Sequence, residues 1–216
     1  MTYSRENPSP RFRELLGFYA QMHSEGDEAT DIPADKMFDG RSLGIHISTI
    51  RSLLKRFQAR TLLDYGAGKA KHYEKTEFAL PDGRKVIGLR QLWNLQEVRL
   101  YDPGYAPHAE YPTGSFDAVV CTDVLEHIPE QDLDWVIGDL FRFARSIVYA
   151  GVASYPAGKL LPDGSNAHVT LKPAEWWLDK FHACRTASQS KAEFALVVER
   201  GHNDPKPTVF VSFQPT

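Results

Sequence analysis

The sequence predicts an open α/β sandwich of three layers, with a mostly parallel sheet closed by an antiparallel pair of C-terminal strands. Three features of the chain predict it. Short, almost wholly apolar runs such as Phe116-Asp117-Ala118-Val119-Val120-Cys121 have the character of strands covered on both faces. Between such runs lie stretches with apolar residues at three-to-four spacing, the pattern of helices that bury one side. The last two strand-like runs are separated only by GHNDPKP, which fits a hairpin connection and is too short for a crossover helix.

In chain order, Phe12, Leu15, Leu16 and Tyr19 give residues 11–23 a helical stripe. Residues 24–39 are polar, carry Gly26 and Pro33, and read as loop. Ile50, Leu53, Leu54 and Phe57 mark one face of a second helix over 48–58. The period then changes. Thr61-Leu62-Leu63-Asp64-Tyr65 is a buried-type strand that stops at Gly66-Ala67-Gly68, and 98–101 is a second strand that stops at Asp102-Pro103-Gly104. After the strand at 116–121, a stripe of Leu133, Val136, Ile137, Leu140, Phe141 and Ala144 predicts a helix, followed by a strand over 146–152. Pro173 suits the first position of a helix that turns Trp177 and Phe181 inward. Strands at 194–199 and 208–213 finish the sheet.

A length of 216 residues fits one structural unit, divided into an N-terminal helical cap and lid segment (1–59) and the sheet domain (60–216). Hydrophobic residues make up 42% and charged residues 25%, enough to bury a core. A formal charge of −3 gives no bulk electrostatic reason to expect nucleic acid or an anionic membrane as partner. Two cysteines, Cys121 and Cys184, are too few for a disulfide framework or a structural zinc site. No run of about 18 apolar residues appears, and the polar start MTYSRENPSPRFREL lacks a secretory pattern, so the expectation is a cytoplasmic protein.

In a sheet of this kind ligands bind outside the carboxyl ends of the strands, beside the point where strand order reverses. The informative residues are therefore those just past each strand: Asp64-Tyr65-Gly66-Ala67-Gly68-Lys69-Ala70, then Asp102, then Thr122-Asp123-Val124-Leu125-Glu126-His127-Ile128-Pro129. Glycines let a turn tighten and a ligand approach the backbone, and an acid after a strand suits a pair of ribose hydroxyls. A plain glycine turn and a plain turn-forming Asp-Pro-Gly are the structural alternatives.

The segments LLDYGAGKAKHY, VRLYDPGY and FDAVVCTDVLEHIPE resemble the first, second and fourth motifs of class I S-adenosylmethionine-dependent methyltransferases, a Rossmann-like family. The resemblance covers residues 61–216 and is most specific in LEHIP, which is typical of the branch acting on small molecules, lipids and sugars. It implies S-adenosyl-L-methionine as cofactor. Asp64, Gly66 and Gly68 would frame its methionine half, Asp102 would bind the ribose hydroxyls, and Thr122 and Asp123 would border the adenosyl or methionine portion. Glu126 and His127 would lie at the mouth, near the substrate.

Departures accompany the resemblance. Ala70 replaces the third glycine of the first motif, and Asp102 follows Asp64 by 38 positions, where about 20 is usual. The excess contains Pro81-Asp82-Gly83 and predicts an added turn or small hairpin before the second strand. Residues 104–115 are too short for a further strand–helix unit, leaving the adenine contact unassigned. A nicotinamide dehydrogenase fits less well, because Lys71 stands at the third glycine of G-x-G-x-x-G. No G-K-[ST] P-loop is present, and no G-x-S-x-G follows a predicted strand as a nucleophile elbow would, the match Gly40-Arg41-Ser42-Leu43-Gly44 lying between a polar loop and a helix.

For a hydroxyl acceptor, His168 in AHVTLKPAEWW and His127 are the candidate bases, with Asp123 third. Their structural alternatives are backbone-orienting or turn-capping roles. Tyr19 and His23, with Arg41 and His46 nearby, fall in the cap, where Tyr19 and His23 are candidate substrate contacts and the polar loop 24–39 is either a lid that excludes water or a surface loop without function. Trp176 is a candidate substrate wall, while Trp177 belongs to the core. The six histidines other than His127 and His168 show no metal-ligand spacing, so no metal is expected. The acceptor expected is a small molecule or a sugar-type metabolite such as a glycan precursor, and the alternative is a cofactor-binding module or an inactive regulatory partner without catalysis.

Overall fold

The computed structural model describes residues 3–27, 30–80, 82–201 and 206–214. In chain order its elements are α1 (Pro10–Glu25), α2 (Ile47–Arg56), β1 (Thr61–Tyr65), β2 (Glu77–Ala79), β3 (Lys85–Ile87), α3 (Gly88–Leu92) and β4 (Glu97–Tyr101). They continue with β5 (Phe116–Thr122), α4 (Leu133–Phe143), β6 (Ala144–Ala153), α5 (Ala174–Ala187), β7 (Glu193–Glu199) and β8 (Thr208–Val211). Six strands form the central sheet in the order β4-β1-β5-β6-β7-β8. Every pair is parallel except β7–β8, which is antiparallel at the edge. This is the Rossmann-like α/β sandwich that the alternating periods predict. Residues 202–205, within the GHNDPKP connection, lie outside the described residues.

The alternation of side chains along the strands explains the layers. On one face Leu63, Val119, Cys121, Val148, Ala150, Phe194 and Leu196 are buried under α4 and α5. On the other, Leu62, Ala118, Val120, Ile147, Tyr149 and Ala195 are buried under α2 and α3. Both faces are covered, which is why these strands read as continuous apolar runs. Trp177 is fully buried in the first of these layers, and Cys121 packs there as a small hydrophobe.

Two boundaries differ from the sequence expectation. Ala144, placed at the end of the helical stripe, is extended and opens β6, because it pairs across the sheet with Phe116. Pro173 caps α5 from outside and Ala174 is its first residue. Ladder pairing and capping are non-local facts that a period of 3.6 does not report. The extra length between β1 and β4 forms the antiparallel β2–β3 hairpin followed by α3. Asp117 is structural: its carboxylate accepts from the backbone N–H of Arg60 and of Thr61, both at 2.9 Å.

Helix α1 lies across the carboxyl ends of the strands. Ser9 caps it, accepting from the Phe12 N–H at 3.1 Å, while the Ser9 N–H donates to Asp132 Oδ1 at 3.0 Å ahead of α4. Leu15 and Met22 of α1 pack on Met37, Leu161 and Ala167. With Met37 fully buried, the segment expected as a lid is anchored at its C-terminal end. Residues 28 and 29 of that segment lie outside the described residues.

Candidate functional site

Strand order reverses at β1, since the chain steps from it to β4 on one side and later to β5 on the other. A cavity of about 540 Å³ opens at that place, within the range of roughly 300–1,000 Å³ typical of small-molecule sites. Gly66 and Gly68 after β1, Asp102 after β4, and Thr122 and Asp123 after β5 all line it. Tyr19 and His23 of α1 close it from above, and His127 and His168 line its far side. Phe12, Leu15, Leu16, Phe38 and Trp135 supply apolar wall.

Three expected site residues lie elsewhere. Asp64 is buried behind the glycine turn and faces a separate void of about 20 Å³ shared with Thr122 and Tyr73. Glu126 is fully buried and accepts a hydrogen bond from the Ala153 N–H at 2.6 Å, behind the cavity and outside its lining. Trp176 packs beside Trp177 on α5, between the Lys172 and Lys180 ammonium groups, and also stands outside the lining. Adjacent residues on a helix diverge in direction, and Trp177 takes the core side.

The glycines have a different reason from ligand approach. A Cβ on Gly66 would meet the Val124 side chain at 2.3 Å, and one on Gly68 would meet the Phe38 carbonyl oxygen at 2.3 Å. Both have positive φ as well. The N-terminal segment therefore presses directly on the turn, and the Lys69 N–H donates to Phe38 O at 2.8 Å. Asp102 clasps the same turn: Oδ2 accepts from the Gly68 N–H at 2.8 Å and Oδ1 from the Gly104 N–H at 2.9 Å. From the other side His108 Nδ1 donates to the Gly68 carbonyl at 2.8 Å. Each Asp102 oxygen keeps a lone pair beyond the one its backbone partner uses.

Across the cavity two loops are stitched together. The Thr170 N–H donates to Glu126 O at 2.9 Å and Thr170 Oγ1 to Ile128 O at 2.7 Å. Asn166 steadies the approach to His168, accepting from the Ala157 and His168 N–H groups and donating to Ala157 O. His127 Nδ1 lies 2.9 Å from Ala167 O and 2.9 Å from Tyr19 Oη. His168 Nδ1 lies 2.6 Å from Tyr155 O. A carbonyl only accepts, so both rings carry their proton on Nδ1 when neutral. Their Nε2 atoms stand 3.9 Å and 3.8 Å from Asp123 Oδ1. The sequence reading expected no metal ligands, yet these three side chains bring one ligand-type atom each to within 4.8 Å of the others. A signal was present in the Asp123–His127 spacing of four, but His168 joins only through the fold.

Burial and charge tune these groups apart. Burial pulls the His168 pKa down. Burial also acts downward on His127, but Asp123 and Glu126 beside it carry the value above the ordinary one. Asp123 moves below the usual carboxylate range, because the two imidazoles outweigh its burial. Burial raises Glu126 to about 7, and raises Asp64 to about 7 against the opposing effect of the Tyr73 phenol. Burial and the neighbouring Lys69 ammonium depress His23 to about 4. That ring is stacked on Tyr105 and accepts from Lys69 Nζ at 3.0 Å. It is neutral at neutral pH.

Wall residues that the sequence reading passed over include Phe38, Lys159, Tyr155 and Trp135. Phe38, Lys159 and Trp135 neither follow a strand end nor belong to a motif, so no local signal marked them, whereas Tyr155 stands just past β6, a strand end the sequence reading did not use. In comparisons with known proteins, no family model, no curated protein and no solved structure matches the chain.

Proposed function

We propose that this protein transfers a methyl group from S-adenosyl-L-methionine to a small-molecule or sugar-type acceptor. The observation that carries the reading is the cavity at the reversal of strand order, with the Asp102 carboxylate and the glycine turn on its lining. The residues present suit the cofactor. Asp102 retains acceptor capacity for two vicinal hydroxyls, and the aromatic and aliphatic wall suits a flat heterocycle. When bound, the cofactor supplies the activated methyl group, and the chain's contribution is alignment and exclusion of water.

In this reading Asp102 holds the ribose, while α1 and Phe38 keep solvent from the reacting atoms. His168 Nε2, with its ring fixed by the Nδ1 contact to Tyr155 O, is the atom placed to take a proton from an acceptor hydroxyl. His127 Nε2 and Asp123 stand beside it and complete a polar cluster in an otherwise apolar wall.

Calorimetric titration with S-adenosyl-L-methionine tests the reading. Asp102→Ala should weaken binding by about 1.5–3 kcal/mol, on the order of ten- to a hundredfold, through loss of a charged acceptor. Asp102 also clasps the turn, so His108→Ala is the control: it loosens the same turn at Gly68 and removes no group from the cavity lining. Equal losses in the two variants would reduce Asp102 to a structural clasp. Wild-type protein that fails to bind the cofactor would overturn the assignment. Binding without methyl transfer to any acceptor pool would instead indicate a cofactor-binding module.

A further inference from the structure

We infer that Asp123, His127 and His168 form a binding site for one divalent first-row transition-metal ion, with its remaining coordination positions open to the cavity. Two imidazole nitrogens and one carboxylate oxygen on one side of a metal are a donor set suited to zinc, iron, cobalt or manganese, and three protein ligands leave room for an exogenous oxygen. The inference does not depend on methyl transfer, but with an ion bound the single Nε2 lone pair of His168 is a ligand and the proton-accepting role given to it above falls away.

The ring orientations are the first support. A histidine that ligates through one nitrogen is held through the other by a carbonyl or carboxylate. Both rings have that arrangement, with Nδ1 of His127 on Ala167 O and Nδ1 of His168 on Tyr155 O. Each Nε2 lone pair is thereby turned toward Asp123. The Nε2–Oδ1 separations of 3.9 Å and 3.8 Å are too long for hydrogen bonds. They are close to the spans that ligands on a common ion require. A point between the three atoms sits within roughly 2.5 Å of each, so modest closure brings it to the ~2.0–2.2 Å of zinc–nitrogen and zinc–oxygen bonds.

The surroundings are the second support. Asp123 is a non-glycine residue at φ +58, held by its N–H on Gly151 O at 3.0 Å. Its side chain is about half exposed and lines the cavity, whereas that of His168 is buried and that of His127 partly so, which makes the carboxylate the ligand freest to close on an ion. The neighbouring Glu126 carboxyl stands behind the cluster with Oε2 buried and without a hydrogen-bond partner among the described residues. A cation in the cluster would compensate that arrangement. Its open positions would take an oxygen from the cavity's occupant, which favours acceptors that present a hydroxyl or carboxylate.

The test uses full-length protein stripped with a chelator and titrated with Co²⁺ and Zn²⁺. The expected result is one equivalent bound by calorimetry and elemental analysis, with visible Co²⁺ ligand-field bands at the same stoichiometry. Asp123→Asn and His168→Ala should each weaken binding by roughly tenfold to a hundredfold, with circular dichroism confirming that each variant is folded. His182→Ala, which removes an exposed histidine on α5, should change neither stoichiometry nor affinity. Asp123→Asn keeps the cluster decisive should His168→Ala fail to fold, since its side chain is the exposed member. Absence of a one-to-one complex, or binding unaffected by Asp123→Asn, would overturn the site. Metal content is measured without S-adenosyl-L-methionine, so failure here leaves the methyl-transfer reading standing, and the reverse.

Discussion

At the scale of single residues, the chemistry lies in how burial changes ordinary side chains. Asp64 has the ionisation value of an exposed carboxylate in the unfolded chain and about 7 when folded. Below 3.8 both states hold the proton and the group has no net effect on stability. As pH rises toward 7 the unfolded chain releases its proton while the folded one retains it, so stability falls through that window and levels above it. Asp64→Asn has no proton to lose. Urea unfolding at pH 5 and pH 7.5 should show the variant gaining on wild type by about 1–3 kcal/mol as pH rises. A constant difference between the two pH values would mean that Asp64 is ionised in the fold. The same scale shows what a sequence can and cannot say. Gly66 and Gly68 are recognisable as required glycines, but the atoms that require them, the Val124 side chain and Phe38 O, come from distant segments. His127 and His168 are each visible as histidines after a strand, and their meeting around Asp123 depends on hydrogen bonds between two loops.

At the scale of elements, the strands and the long helices were legible because burial on both sheet faces writes an apolar run and burial of one helical face writes a stripe. Asp64, Asp102 and Asp123 were legible as strand-end residues for the same reason. Their different surroundings were not: Asp102 and Asp123 reach the cavity while Asp64 turns behind the glycines. The role of α1 was visible only as amphipathicity. Its placement rests on Ser9, which caps the helix and donates to Asp132 at once. Ser9→Ala should cost about 0.5–2 kcal/mol in urea unfolding, the range for a lost N-cap. Because α1 forms the upper wall, the same variant should weaken ligand binding more than it weakens the sheet. An unchanged unfolding midpoint would show that the cap contributes nothing to docking.

For the whole molecule, no helix among the described residues is long and apolar enough to cross a membrane. The cavity lies between the cap and the sheet, so its occupant stabilises both against unfolding. A ligand at a hundredfold excess over its dissociation constant adds about 2.7 kcal/mol. S-adenosyl-L-methionine should therefore raise the thermal midpoint of wild-type protein, and Asp102→Ala should need a higher concentration for the same rise. A melting curve indifferent to the cofactor would contradict its placement. The cap also has a consequence for biosynthesis. Its contacts run from Ser9 to Asp132 and from Arg11 to Asp163, so α1 binds to parts of the chain made more than a hundred residues after it. Until those parts are made that helix has no floor to rest on, and the chamber is finished by a long-range closure, the kind of contact that is slow to form.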